Sequence, residues 1–154
     1  MAKETADANE IALQLLQLQP DDAVLEIGCG HGETLAKAAS IVSRGSLCGI
    51  DFSPLMHRHA THRHRRLVAE KRIEFHLGSS DRLPFDDHSF DKVFAVHTIY
   101  FWETPLDHLA EARRVLKPAA VSFWVFVQRR TRGSGQNFPA KSTISGPKPK
   151  LPNW

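Results

Sequence analysis

Sulfur and phenol side chains are scarce, with two cysteines, two methionines and a single tyrosine among 154 residues. Cys29 and Cys48 show no Cys-x-x-Cys spacing, which excludes a disulfide framework and a cysteine-rich metal module. No secretory leader is visible, so a reducing cytoplasm is the expected compartment. No apolar run approaches the roughly 20 residues that span a bilayer, so stable membrane insertion is not expected. Internal repeats are absent too. Acidic residues are missing altogether after Val127, where Arg129, Arg130, Arg132, Lys141, Lys148 and Lys150 lie. Those six account for more than the whole net charge of +3, and the body without them carries −3. The basic balance therefore belongs to a tail rather than to a nucleic-acid face, and no nucleic-acid partner is expected.

What is present begins at residues 24–32, VLEIGCGHG, an apolar run ending in an acid and three alternate glycines. The run reads as a buried parallel strand, and residues 33–42 (ETLAKAASIV) read as a helix, so the glycines occupy a strand-to-helix turn. Glycine permits positive φ and close approach of a ligand to the backbone, and the N–H groups opening a helix favour polar or anionic groups. The spacing departs from a dinucleotide fingerprint. After Gly28 and Gly30 a third glycine is wanted at position 33, where Glu33 stands, and Gly32 comes one residue early.

Around this turn the strands and helices alternate. Residues 6–18 carry Ile11, Leu15 and Leu18 at helical spacing and should form a helix on the sheet's edge, stopped by Pro20. Residues 47–51 make a second strand, and Ser53 and Pro54 are the N-cap and first residue of another helix. Ile73, Phe75 and Leu77 alternate as a third strand, and residues 90–97 give a fourth. Thr104 and Pro105 cap a further helix, whose buried stripe is expected to be Leu106, Leu109, Ala112 and Leu116. Val121, Phe123, Val125 and Val127 alternate as a fifth strand. The pattern predicts an α/β domain over residues 1–127, a doubly wound and mostly parallel sheet of about five strands, with a ligand at the strands' C-terminal edge. Residues 128–154, with four prolines, three glycines and no amphipathic period, are expected to be a disordered basic tail.

His57, His59, His62 and His64 invite a metal reading. Their spacings do not place a ligand set on one helical face, and no cysteine or carboxylate is interleaved, so a solvated basic face is expected and no metal.

The glycine turn, Asp51 at the end of the second strand, Leu83-Pro84-Phe85, Phe90-Asp91 and Arg114-Val115-Leu116-Lys117-Pro118 together resemble the class I S-adenosylmethionine-dependent methyltransferases. The likeness is strongest to the small-molecule branch that includes ubiquinone-biosynthesis enzymes, and it covers roughly residues 10–118. It implies a Rossmann-like core, S-adenosyl-L-methionine as cofactor and a small-molecule methyl acceptor. Asp51 can accept hydrogen bonds from two ribose hydroxyls, or serve as a turn aspartate. Gly28, Cys29 and Gly30 would line the cofactor's path. Phe52 and Met56 can sandwich adenine, although Met56 suits a core equally well. The resemblance puts Glu26 near the methionine end of the cofactor; the same carboxylate could instead cap loop amides. The family often has Gly-Asp-Ala before Leu-Pro-Phe, whereas this chain has Gly78-Ser79-Ser80, so Ser79, Ser80 or Asp81 must replace the acid that reads adenine. His97 faces the methyl-transfer centre by resemblance, and a strand-end carbonyl could equally occupy it. His97 and Tyr100 are the candidate general bases. The loop at residues 98–103 belongs to the acceptor side.

Three functions are compatible with these residues. They are a small-molecule methyltransferase, a truncated or frame-shifted cofactor-binding domain without turnover, and a nicotinamide oxidoreductase, which Gly32 disfavours. The second arises because the family continues Gly-Gly after Pro118, whereas Ala119 and Ala120 stand here. Inserting one nucleotide after the Pro118 codon permits LKPGGRFVLGF and an acidic helix beyond it. An out-of-frame translation from residue 119 is therefore expected, and with it the loss of the antiparallel pair that closes the family's seven-stranded sheet.

Overall fold

The computed structural model describes residues 2–125. Helix α1 (Ala2–Leu16) leads into β1 (Ala23–Ile27), α2 (Glu33–Ala38), β2 (Ser46–Asp51), α3 (Pro54–Arg63), α4 (Arg65–Ala69), β3 (Ile73–Leu77), β4 (Phe90–Val96), α5 (Pro105–Val115) and β5 (Leu116–Val125). A 3-10 turn at Ile99–Phe101 links β4 to α5. All five strands run parallel in the order β3-β2-β1-β4-β5. Strand order reverses between β1 and β4, and a doubly wound sheet opens its binding crevice at such a reversal.

The strand pattern places two apolar faces. Val24, Leu47, Ile73 and Phe94 face a layer containing α1 and α2, through Ala12, Leu16, Leu35 and Val42, with Leu67 of α4 packed alongside. Leu25, Ile27, Cys48, Ile50, Val93 and Ala95 face the other way, onto Leu83, Phe90, and Ala112 and Val115 of α5. Full burial of each large aliphatic contributes about 1.5–3 kcal/mol.

The recognised motifs work largely as scaffolding. Arg114 donates to the carbonyls of Leu83 (3.0 Å) and Phe85 (2.8 Å) and to Asp87, and Glu111 accepts the Leu83 N–H while paired to Arg114. The Arg114 hydrogen bonds hold the Glu111 carboxyl below the usual range. Asp91 accepts the Ala23 N–H and pairs with Lys117 at 2.8 Å, tying β4 to the starts of β1 and β5.

Several expectations need correction. Helix α2 ends at Ala38 rather than at 42, and Arg72 caps the following turn through the carbonyls of Ala39 and Val42. Thr104 occupies the N-cap of α5 without a side-chain hydrogen bond. The buried stripe of α5 is His108, Ala112 and Val115; Leu106 is 80% exposed, and Leu116 already belongs to β5. A histidine hydrogen-bonded at one end and stacked on its face can be buried, so His108 takes the inward place expected of Leu106. The histidine-rich segment is not a uniformly solvated face. His57 Nε2 meets the Phe75 carbonyl at 3.1 Å, and His64 Nε2 meets the His31 carbonyl at 3.0 Å. β5 begins at Leu116 and is irregular between its pairings to Phe90 and Lys92, regaining register at Val121. The expected tail at 128–154 and the family's antiparallel pair lie outside the described residues.

Candidate functional site

Each glycine of the turn after β1 has positive φ, with Gly28 at +71°, Gly30 at +50° and Gly32 at +74°. Their surroundings differ. A Cβ on Gly28 would collide with the Thr98 side chain, and one on Gly32 would lie 2.5 Å from the Phe75 ring. Among the described residues a Cβ on Gly30 would meet nothing within 4 Å. Gly28 and Gly32 therefore serve packing, and Gly30 alone faces open space.

The loop's amides are mostly spoken for. Gly28 and Cys29 donate to the Ile50 carbonyl, Gly30 to Asp51 Oδ2 at 2.9 Å, and Gly32 to the Cys29 carbonyl. These four amides are thus engaged within the protein. Asp51 is buried, and its second oxygen accepts the Ser53 N–H at 2.9 Å, so one carboxylate joins the β1 turn to the start of α3.

A cleft of about 330 Å³ opens at the C-terminal ends of the strands. It brings together Gly28, Asp51, Phe52, Ser79, Ser80 and Asp81 of the expected site, and Thr98 and residues 101–104 form part of its rim. Phe52 is 69% exposed, a free aromatic face at the cleft mouth. Cys29, Met56, Glu26, Gly30 and His97 do not line this cleft. Cys29 is a core residue, its sulfur 2.8 Å from where a Gly49 Cβ would lie, and burial pushes its thiol pKa up. Met56 is half-buried on α3, where its N–H donates to the Ser53 cap.

Glu26 is buried on the α2 side of β1. Burial pushes its pKa up to about 8, against a hydrogen bond from Thr34 that lowers it, and Asp51 adds to the rise. Among the described residues its Oε2 has no hydrogen-bond partner. An orphaned buried carboxyl oxygen is expensive and suits a cationic or donor group from a ligand. At the end of β4, His97 has φ +57°, and its Nδ1 lies 2.9 Å from the Tyr100 hydroxyl. Among the described residues the His97 Nε2 is buried without a hydrogen-bond partner, and burial raises the Tyr100 pKa.

His108 escaped sequence reasoning, and Trp102 was covered only as part of the loop at residues 98–103. His108 is buried with its Nδ1 2.7 Å from Ser80 Oγ, and its ring stacks on Trp102 at 4.5 Å and 3°. Both line the cleft. The available signal was the spacing of His108, Ala112 and Val115, a helical stripe visible once histidine is allowed an inward place.

A parallel sheet whose first turn, second-strand acid and fourth-strand turn converge on a crevice at the reversal point defines a nucleoside-cofactor-binding α/β domain. The chain belongs to the methyltransferase domain family, whose model matches residues 25–123. It is 31% identical over 115 residues to the YrhH protein of Bacillus subtilis, covering 75% of this chain and 63% of that protein. It is 30% identical over 123 residues to 24-methylenesterol C-methyltransferase 2 of Arabidopsis thaliana, covering 78% of this chain and 34% of that enzyme. Among solved structures, a SAM-dependent methyltransferase from Aquifex aeolicus superposes with a TM-score of 0.72 at 26% identity, covering 83% of this chain and 68% of that one. The chain thus spans about one third to two thirds of the length of these curated relatives. Among the described residues no helix is long and apolar enough to cross a membrane.

Proposed function

We propose that the domain binds S-adenosylmethionine at the β1/β4 crevice and supports transfer of its methyl group to a small-molecule acceptor. The observation that carries this reading is the cleft at the strands' C-terminal ends, which brings Gly28, the buried Asp51 carboxylate and the exposed Phe52 ring together. When bound, the sulfonium supplies an already activated methyl carbon, so the protein's part is alignment and exclusion of water.

Asp51 would hold the ribose hydroxyls. Each of its oxygens already accepts one backbone N–H and keeps a second lone pair for a ligand. Phe52 would cover one face of adenine. Of the three candidates to replace the family's adenine-reading acid, Ser80 is engaged by His108, which leaves the exposed Ser79 and Asp81. Glu26 would meet the cationic amino end of the cofactor. His97, oriented by Tyr100, would take a proton from the acceptor's nucleophile through Nε2. Tyr100 and Phe101 are 55% and 68% exposed on the acceptor side, which favours an acceptor with an apolar surface. A sterol-modifying relative fits that class.

The test is calorimetric titration with S-adenosylmethionine and S-adenosylhomocysteine, followed by transfer of a labelled methyl group to a panel of apolar hydroxyl, amine and alkene acceptors. Binding without transfer to any acceptor would favour a cofactor-binding domain without turnover, a reading the partial span of the relatives keeps open. Tighter binding of a nicotinamide dinucleotide would refute the methyltransferase assignment.

A further inference from the structure

Away from the crevice, β2 and β3 place three chemically distinct ligand atoms together. Parallel register sets Cys48 beside Glu74 and Ile50 beside His76, so Cys48, Glu74 and His76 project from the same face. One thiol sulfur, one carboxylate oxygen and one imidazole nitrogen of these residues all lie within 4.8 Å of one another. Glu74 Oε2 and His76 Nε2 are 3.5 Å apart, close but not hydrogen-bonded. Among the described residues His76 Nε2 is buried with no hydrogen-bond partner. The Phe85 ring, at 4.9 Å and 83°, packs edge-on against the imidazole and walls that side. Cys48 is buried and Glu74 is exposed, so the cluster has a closed floor and an open entry.

We propose that Cys48, Glu74 and His76 bind one zinc-class divalent cation, with solvent as the fourth ligand. A thiolate with an imidazole suits Zn²⁺ and disfavours Mg²⁺ or Ca²⁺, which take oxygen ligands. Tetrahedral zinc bonds of about 2.0–2.3 Å require ligand atoms roughly 3.3–3.8 Å apart. The cluster reaches that by a contraction of about 1 Å, which the exposed Glu74 side chain can supply by rotation. The Cys48 proton leaves to buffer on binding. Such a cation ties β2 to β3, and both strands end on the crevice, at Asp51 and at residues 78–81. The proposal stands independently of methyl transfer.

The test is titration of the chelator-treated full chain with Co²⁺ and then Zn²⁺. The expected result is a thiolate-to-cobalt charge-transfer band saturating at one equivalent, bleached by Zn²⁺, with a higher thermal midpoint for the loaded protein. Cys48→Ala should abolish the band. Glu74→Gln, at an exposed position that leaves the fold intact by circular dichroism, should weaken binding by more than about tenfold, a loss that even outer-sphere partners can bring. His62→Ala, in the histidine-rich helix, should leave the titration unchanged. A wild-type protein without the charge-transfer band, a band that survives Cys48→Ala, or affinity unchanged in Glu74→Gln would each overturn the assignment.

Discussion

Alanine in place of each loop glycine should separate structural from ligand-facing roles. All three positions have positive φ, and moving an L-residue there costs about 1–2 kcal/mol. At Gly30 nothing lies within 4 Å of the added methyl, so backbone strain is the whole cost. Gly30→Ala should lower the thermal midpoint by about 3–6 °C. At Gly28 the methyl collides with Thr98, itself held by the carbonyls of Ile27 and Val96, and overpacking adds about 1–3 kcal/mol to the strain. Gly32→Ala meets the Phe75 ring and should fall between the two. Urea unfolding should therefore rank the variants Gly30→Ala, Gly32→Ala, Gly28→Ala from most to least stable. Cofactor affinity should rank differently. Gly30→Val remains folded yet fills the space in front of the loop, and S-adenosylhomocysteine should bind about a hundredfold more weakly, near 2.7 kcal/mol. A folded Gly30→Val with wild-type affinity would show that the open space is not the ligand's, and Gly28→Ala more stable than Gly30→Ala would refute the packing argument.

Asp51→Ala should weaken cofactor binding by roughly 2–3 kcal/mol, the scale of losing charged hydrogen bonds, and calorimetry at fixed salt measures it. Glu26 binds its proton more tightly folded than unfolded, so the folded state holds the extra proton between about pH 4.5 and 8. Stability should therefore fall as pH rises through that window, by at most about 1.4 kcal/mol per unit, and Glu26→Gln should flatten the slope; an unchanged slope in urea melts from pH 5 to 8 contradicts the burial argument. Arg114→Lys keeps the charge but loses the fork that holds the Leu83 and Phe85 carbonyls, and should cost about 1–3 kcal/mol, little better than Arg114→Ala. Sequencing the gene tests the frame. Codons from position 119 that cannot yield the glycine pair in the shifted frame would dispose of the out-of-frame origin, as would robust methyl transfer by a chain ending at Val127.

The succession of strands and helices along the chain, the parallel sheet, the glycine turn and the place of Asp51 were legible because each rests on local pattern, an apolar run or a spacing of glycines. What Gly28, Gly30 and Gly32 each do was not legible. Their backbone conformations are alike, and the difference lies in Thr98 and Phe75, 70 and 43 positions further along the chain. His108 was missed for a related reason, since its burial depends on Ser80 and Trp102 from separate segments. The Cys48, Glu74 and His76 cluster is likewise invisible to spacing, because strand register rather than sequence separation assembles it.

The Thr98 hydroxyl lies 3.2 Å from the Ile27 carbonyl, while its side chain fills the space where Gly28 lacks a Cβ. The turn proposed to face the cofactor and the loop proposed to face the acceptor are therefore geared to each other through one methyl-sized contact. A ligand that displaces residues 98–103 must also move the Gly28 backbone. If such displacement accompanies acceptor binding, linkage requires the two ligands to change each other's affinity by the same factor, so the contact acts as a two-way clutch between the halves of the crevice.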